Sequence, residues 1–207
     1  MTYGAIPVFH IYCLGNKLKQ YFKEARALRS ELTVNNPQKL GLGKLLTRKN
    51  FEGIREVGRE TITRLLEMEK LCHDPSVSAE RLEAIESPTE VKGKRVSALP
   101  RSNKKVRALL NALIGCHVIC GGFRNRDLKS RYAHILGLRP DEVKRSHMTY
   151  NLRRLKVHGV IEPIEGKQRY TITEEGLKMA MLISRVERRI YRDACDDLFE
   201  VPDEDIE

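Results

Sequence analysis

Residues 28–35 alternate. Leu28, Ser30, Leu32 and Val34 fall on one side of an extended backbone, and Arg29, Glu31, Thr33 and Asn35 on the other. Successive side chains of a strand point to opposite faces, so this period predicts a half-buried strand. Its expected partner is "VFHIYC" (8–13) or "KLKQYF" (17–22), and "NNP" at 35–37 stops it. The period then changes. Phe51, Ile54, Gly58, Ile62, Leu65 and Met68 or Glu69 trace one face of a long helix over 51–71, with Asn50 as its cap and "HDP" at 73–75 as its end. Ser78 is placed to cap a short second helix, "AERLEAI". Residues 87–104, "SPTEVKGKRVSALPRSNK", mix Pro, Gly and Ser with charges, sustain no period and read as a linker.

From 105 to 192 the pattern is clearest. "VRALLNALIGCHVI" is an apolar helix, "GGF" (121–123) a short extended piece, and Asn125 the expected cap of the helix "RDLKSRYAHIL", which Gly137 ends. After "RPDEVKR" a third helix is predicted from Ser146 to His158, stopped by Gly159. "VIEPI" and "RYTIT" make two short strands around the turn "EGKQ", and Thr173 caps a final helix with Glu174 and Glu175 in its first turn, where acids suit the helix dipole.

Helix, short strand, helix, turn, helix, β-hairpin is the order of a winged helix-turn-helix. The predicted fold class is therefore α+β and mostly helical, with a C-terminal winged helix-turn-helix (105–192), an N-terminal β-hairpin and helical region (1–86), the linker 87–104 and an acidic tail (193–207). On the third helix Met148, Leu152 and Leu155 share one face, while Ser146, Thr149, Tyr150, Arg153 and Arg154 spread over the other, flanked by His147 and Asn151. Hydroxyl and guanidinium groups on an exposed helix suit base edges and phosphates in a major groove. Lys167, Gln168 and Arg169 at the hairpin tip are placed to grip an adjacent backbone or minor groove. The bland reading, a basic helix that touches nothing, is weakened because helix and tip share one surface.

Charge sharpens this. The formal charge is +10, and residues 193–207 hold eight acids with no Lys or Arg, so the rest of the chain carries +18. Such a body favours polyanions, because each neutralised phosphate releases counterions. The expected partner is double-stranded DNA, with RNA as the alternative. Five Cys without regular spacing and no recognisable leader suggest reduced thiols in a cytoplasm, and Ala5–Gly15 is too short and broken to span a membrane.

The stretch "GFRNRDL…MTYNLRRLKVHGVIEPIEGKQRYTITEEG" resembles the winged-helix domains of bacterial regulators, in which "Y-x-L-R-R-L…HGL-I…RY-x-(I/V)-T-x-x-G" recurs. The resemblance covers about 70 residues and implies DNA binding in a regulatory or mobile-element setting. The longer run that includes "YFKEARALRSELTVNN" is similar to the C-terminal part of a group of longer bacterial proteins of uncharacterised function, which implies an N-terminal portion that this chain lacks.

A rival reading belongs to a different class. "KLKQYFKEARALRSELTV" is similar to strands of plasmid rolling-circle replication initiators, in which a Tyr cleaves one DNA strand and an acid helps hold a metal. That resemblance makes Tyr21 a nucleophile candidate and Glu31 a metal-ligand candidate, with Lys17, Lys19, Lys23 and Arg29 on phosphates. Only His10 lies in the first 70 residues, so the paired His ligands of such sites are missing and chemistry is not expected. "CHVIC" puts Cys116 and Cys120 one helical turn apart beside His117, but a structural zinc needs four ligands and core packing explains them better. Cys72 and His73 read as a helix end. No metal or cofactor is expected. Finally, Met179, Leu182, Ile183, Val186 and Ile190, rimmed by Arg185, Arg188, Arg189 and Arg192, form a stripe that either packs on the domain or pairs two copies, making a homodimer through helix 174–192 a candidate.

Overall fold

Asn16 is polar yet only 1 % exposed, and its role explains how the N-terminal sheet ends. Its side-chain oxygen accepts the backbone N–H groups of Asn35 and Asn36, both at 2.9 Å. The chain leaving the sheet is thus tied back to the strand at its centre. This computed structural model describes residues 7–13, 15–24, 26–40, 47–73 and 75–192, with side chains 13, 40, 49 and 190–192 left aside; the acidic tail 193–207 lies outside the described residues.

The first sheet is an antiparallel meander of β1 (Val8–Cys13), β2 (Asn16–Lys23) and β3 (Ala27–Thr33). Both expected partner segments are used: β3 pairs with β2, and "VFHIYC" adds a third strand on the other edge of β2. Leu18 sits opposite Ile11 and Leu32 and is 2 % exposed, so the inward face is apolar at its middle. A 3₁₀ turn, Pro37–Leu40, follows.

The long helix α1 (Arg48–His73) starts before the expected cap. Asn50 lies inside its first turn, where its Oδ1 accepts the Thr47 N–H at 2.8 Å. The buried line is Val57, Thr61 and Leu65 at i, i+4, i+8, and Phe51 is 54 % exposed. Leu65 and Met68 of the expected face do pack inward, but the buried face is rotated away from Phe51 toward Val57 and Thr61, because Glu60 and Arg64, polar on paper, point inward. Arg64 donates to the carbonyls of His117 (3.1 Å) and Ile119 (3.2 Å). Glu60 accepts the Cys120 thiol at 2.5 Å and binds Arg64 at 2.6 Å. Burial alone would raise the Glu60 carboxyl, but the thiol, Arg64 and the Gly121 N–H outweigh it and hold its pKa below the usual range. Burial and Glu60 together push the Cys120 thiol up to about 12, so it acts as a donor and not as a thiolate.

Ser78 caps α2 (Ala79–Glu86) by accepting the Arg81 N–H, as the sequence predicts. The expected linker contains structure: β4 (Thr89–Val91) and β5 (Lys94–Val96) form a two-stranded ribbon. It is anchored because Val96 and Leu99 are buried and the Leu99 N–H donates to the Ile85 carbonyl at 2.8 Å. Ile85 and Leu99 belong to the same apolar core as the helices that follow.

That core is the winged helix-turn-helix: α3 (Lys104–His117), α4 (Asn125–Ile135), α5 (Arg145–Val157), β6 (Ile161–Pro163), β7 (Tyr170–Ile172) and α6 (Glu174–Val186), followed by a π-helical turn, Glu187–Arg192. Leu110, Leu113, Leu128, Met148 and Leu155 are all fully buried where α3, α4 and α5 meet. Full burial of one such side chain stabilises the fold by about 1.5–3 kcal/mol. The "GGF" piece closes the wing as a third strand, Phe123 and Tyr170 exchanging both backbone hydrogen bonds at 2.9 Å. Arg124, not Asn125, is the residue before α4, and its N–H donates to the Asp127 carboxylate at 2.8 Å. Thr173 caps α6 as expected, accepting the Gly176 N–H at 3.0 Å. Among the described residues no helix is long and apolar enough to cross a membrane.

Candidate nucleic-acid interface

On α5 the apolar seam Met148, Leu152 and Leu155 is buried as the wheel predicts, and Asn151 joins it at 3 % exposed. Ser146, His147, Thr149, Tyr150 and Arg153 face outward. Thr149 donates its hydroxyl to the Arg145 carbonyl at 3.1 Å and receives the Asn125 amide at 3.5 Å, which ties the start of α4 to α5. Burial, then Lys105 and Arg154, hold the His147 imidazole below its usual pKa, which favours the neutral, hydrogen-bonding ring in the free protein.

The structure brings these positions together with residues the sequence did not single out. A groove of about 830 Å³ runs between the start of α4, the outward side of α5 and the wing. α4 and the residue before it supply Arg124, Arg126 and Lys129; α5 supplies Arg145, Arg153 and Lys156; the wing supplies Lys167 beside Gln168. Among the described residues no carboxylate lines it. The nearest acid by sequence, Asp127, is occupied by the Arg124 N–H and lies 3.7 Å from the Arg126 guanidinium. Seven cations so gathered, with Asp127 offsetting only Arg126, create a positive potential that concentrates anions. "FRNRDLKSR" carried the signal for the α4 residues, but only the packing of α4 against α5 shows that they share a groove with the wing.

Two expected contact residues are engaged elsewhere. Arg154 turns back from the groove and donates to the carbonyls of Ser97 and Ala98 and to Asn151 Oδ1, with its guanidinium 5.6 Å from the centre of the Tyr150 ring. Arg169 is half-buried and donates to the carbonyls of Gly121 (3.3 Å) and Gly122 (3.1 Å), closing the base of the wing. Tyr150 remains 43 % exposed while its hydroxyl shares a 2.7 Å hydrogen bond with Ser97.

The rival pair lies in the N-terminal sheet. Tyr21 donates its phenol to Glu31 at 2.9 Å, and that bond is the main reason its pKa is raised. A raised phenol pKa opposes nucleophile formation. Glu31 also pairs with Arg29 at 2.8 Å, and Lys19 sits 4.3 Å over the Tyr21 ring. Lys17 and Lys23 alternate onto the same side of β2, and His10 lies opposite Lys19 on β1. Cys116 is buried in α3, and among the described residues no group of three or more His, Cys, Asp or Glu is placed to hold a metal. Cys72 and His73 are exposed at the end of α1. In α6, Met179 and Ile183 are buried, so the inner half of the expected pairing stripe packs inside the molecule, leaving Leu182 half-buried and Val186 37 % exposed.

An α+β chain whose C-terminal part is a winged helix-turn-helix with a cationic groove is the class that fold and geometry define. No family model matches the chain, and no curated protein and no solved structure matches it.

Proposed function

We propose that this protein binds double-stranded DNA through its winged helix, with α5 in the major groove and the α4 start and wing on the bounding phosphates. The observation that carries this reading is the groove with seven Lys and Arg side chains and, among the described residues, no carboxylate in its lining. Ser146, Thr149 and Tyr150 beside it offer hydroxyls for base edges, and His147 an imidazole ring. A protruding helix suits the B-form major groove, about 12 Å wide, whereas the A-form major groove of RNA is too deep and narrow for side chains to read. The reading fits a regulatory or mobile-element role in a cytoplasm. Fluorescence anisotropy with DNA and RNA duplexes of one sequence tests it. DNA should bind more tightly, and Arg153→Ala with Lys156→Ala should weaken binding while the circular dichroism spectrum stays unchanged. Equal affinity for both duplexes, or an unaffected double variant, would refute it.

A further inference from the structure

Beside α5 stands a second basic ribbon. The β4–β5 hairpin leads directly into Ser97, and Ser97 is bound to α5 three times. Its hydroxyl meets the Tyr150 hydroxyl at 2.7 Å, while its carbonyl accepts from Arg154 at 3.4 Å and from His158 Nε2 at 3.0 Å. From α2, Arg81 adds a fourth tie by donating to the His158 carbonyl at 2.9 Å.

These attachments lie on one stripe of α5, positions 150, 154 and 158. The groove side is the stripe 145, 149, 153 and 156. At about 100° per residue the two stripes are about 145° apart, with the outward direction of the helix between them. The wing therefore stands on one flank of the exposed face, and Ser97, the residue into which the β4–β5 ribbon leads, on the other.

The ribbon ends in Lys92–Gly93, both at positive φ (54° and 70°), followed by Lys94 and Arg95. This is the turn pattern that favours Asn, Asp or Gly at its first central position. A lysine there holds a left-handed backbone that L-residues adopt at a cost, so the tip carries a charge where a better turn former would fit. Lys92, Lys94 and Arg95 are exposed, and none forms an ion pair with a described residue. Glu90, opposite Arg95 in register, is the ribbon's one acid.

We infer that the β4–β5 ribbon is a second wing, whose Lys92, Lys94 and Arg95 bind the phosphate backbone on the side of α5 away from the β6–β7 wing. Strands of three residues span about 10 Å, and a major groove is about 12 Å wide, so a ribbon anchored at Ser97 reaches the strand bounding the groove that α5 enters. This inference rests on the duplex-binding reading above and extends its footprint to both flanks of the helix.

The test uses the full chain with Lys92→Asn, Lys94→Ala and Arg95→Ala, which keeps a residue suited to the turn at 92. The control removes the same charge from exposed positions of α1, as Arg55→Ala, Arg59→Ala and Lys70→Ala. Affinity for a random-sequence duplex is measured from about 50 to 200 mM salt, where each lost phosphate contact reduces the slope of log K against log salt by about 0.9. The ribbon variant should bind at least tenfold more weakly at the low-salt end, with a slope shallower by one or more, while the control stays within a fewfold of the wild type. A ribbon variant equal to the wild type, or no weaker than the control, overturns the second wing and leaves the groove reading standing. A wild type that binds no duplex overturns both.

Discussion

At adjacent positions of α5, Arg153 projects into the cationic groove while Arg154 folds back onto Ser97, Ala98 and Tyr150. Arg153→Ala should therefore weaken duplex binding by about 1–3 kcal/mol, the usual cost of a lost contact, with an unchanged melting temperature. Arg154→Ala should lower stability by about 1–3 kcal/mol, because it takes a charged donor from the half-buried Ala98 carbonyl and loosens the Ser97 segment, held then by His158 and Tyr150, from α5. Paired melting and anisotropy measurements separate the two, and a stable Arg154→Ala protein that has lost DNA would return that residue to the interface. The helical wheel puts both arginines on the polar side and cannot show which of them a distant loop will claim. His117 is a second residue whose state the sequence hides. It is 8 % exposed with no hydrogen-bond partner at either ring nitrogen among the described residues, and Glu67 lies 3.5 Å from Nε2. Burial first and then Arg64 hold its pKa below the ordinary value, and Glu67 offsets them only in part. The unfolded chain then binds more protons than the folded one as pH falls below about 6.5, so stability is full above that pH and is lost on acidification toward the folded pKa. Melting scans at pH 7.5 and 5.5 should show a larger fall in the wild type than in His117→Leu; parallel falls would contradict it.

Among the elements, α2 to α6 and both strands of the β6–β7 wing were legible from periods and caps. Ser78 and Thr173 accept the N–H groups their spacing predicts, and Gly137 and Gly159 take positive φ where the helices stop. The β4–β5 ribbon was not legible, since three-residue strands are too short to display an alternation. The sequence offers two partner segments for β3 without ordering them, because edge and central strands share a period. Element contacts also explain Gly176. A Cβ there would lie 2.1 Å from the Val160 carbonyl oxygen, because the chain entering the wing crosses the first turn of α6 at backbone distance. Gly176→Ala must push the wing and α6 apart, at a cost of about 1–3 kcal/mol. For a chain of this size that corresponds to a melting temperature lower by about 3–10 °C. An unchanged melting temperature would mean that the wing and α6 yield without penalty.

For the whole molecule, charge is the property the sequence displayed best and location the one it displayed least. A body of +18 was countable, but whether its cations converge depends on α4, α5 and the wing meeting at one groove. The acidic residues 193–207 act at this scale. Truncation after Arg192 removes eight negative charges and should tighten nonspecific duplex binding at low salt, an effect that fades as the Debye length shrinks to about 8 Å near physiological ionic strength. A truncated protein that melts earlier and binds no better would assign the tail a structural role. The central claim, that α5 and its groove hold duplex DNA, is tested most directly by the salt dependence of binding. Occupation of most of the seven groove cations predicts a slope of log K against log salt of about −5 to −6, shallower by about two in the Arg153→Ala, Lys156→Ala variant. A wild-type slope near zero, or one that the double variant leaves unchanged, would contradict it.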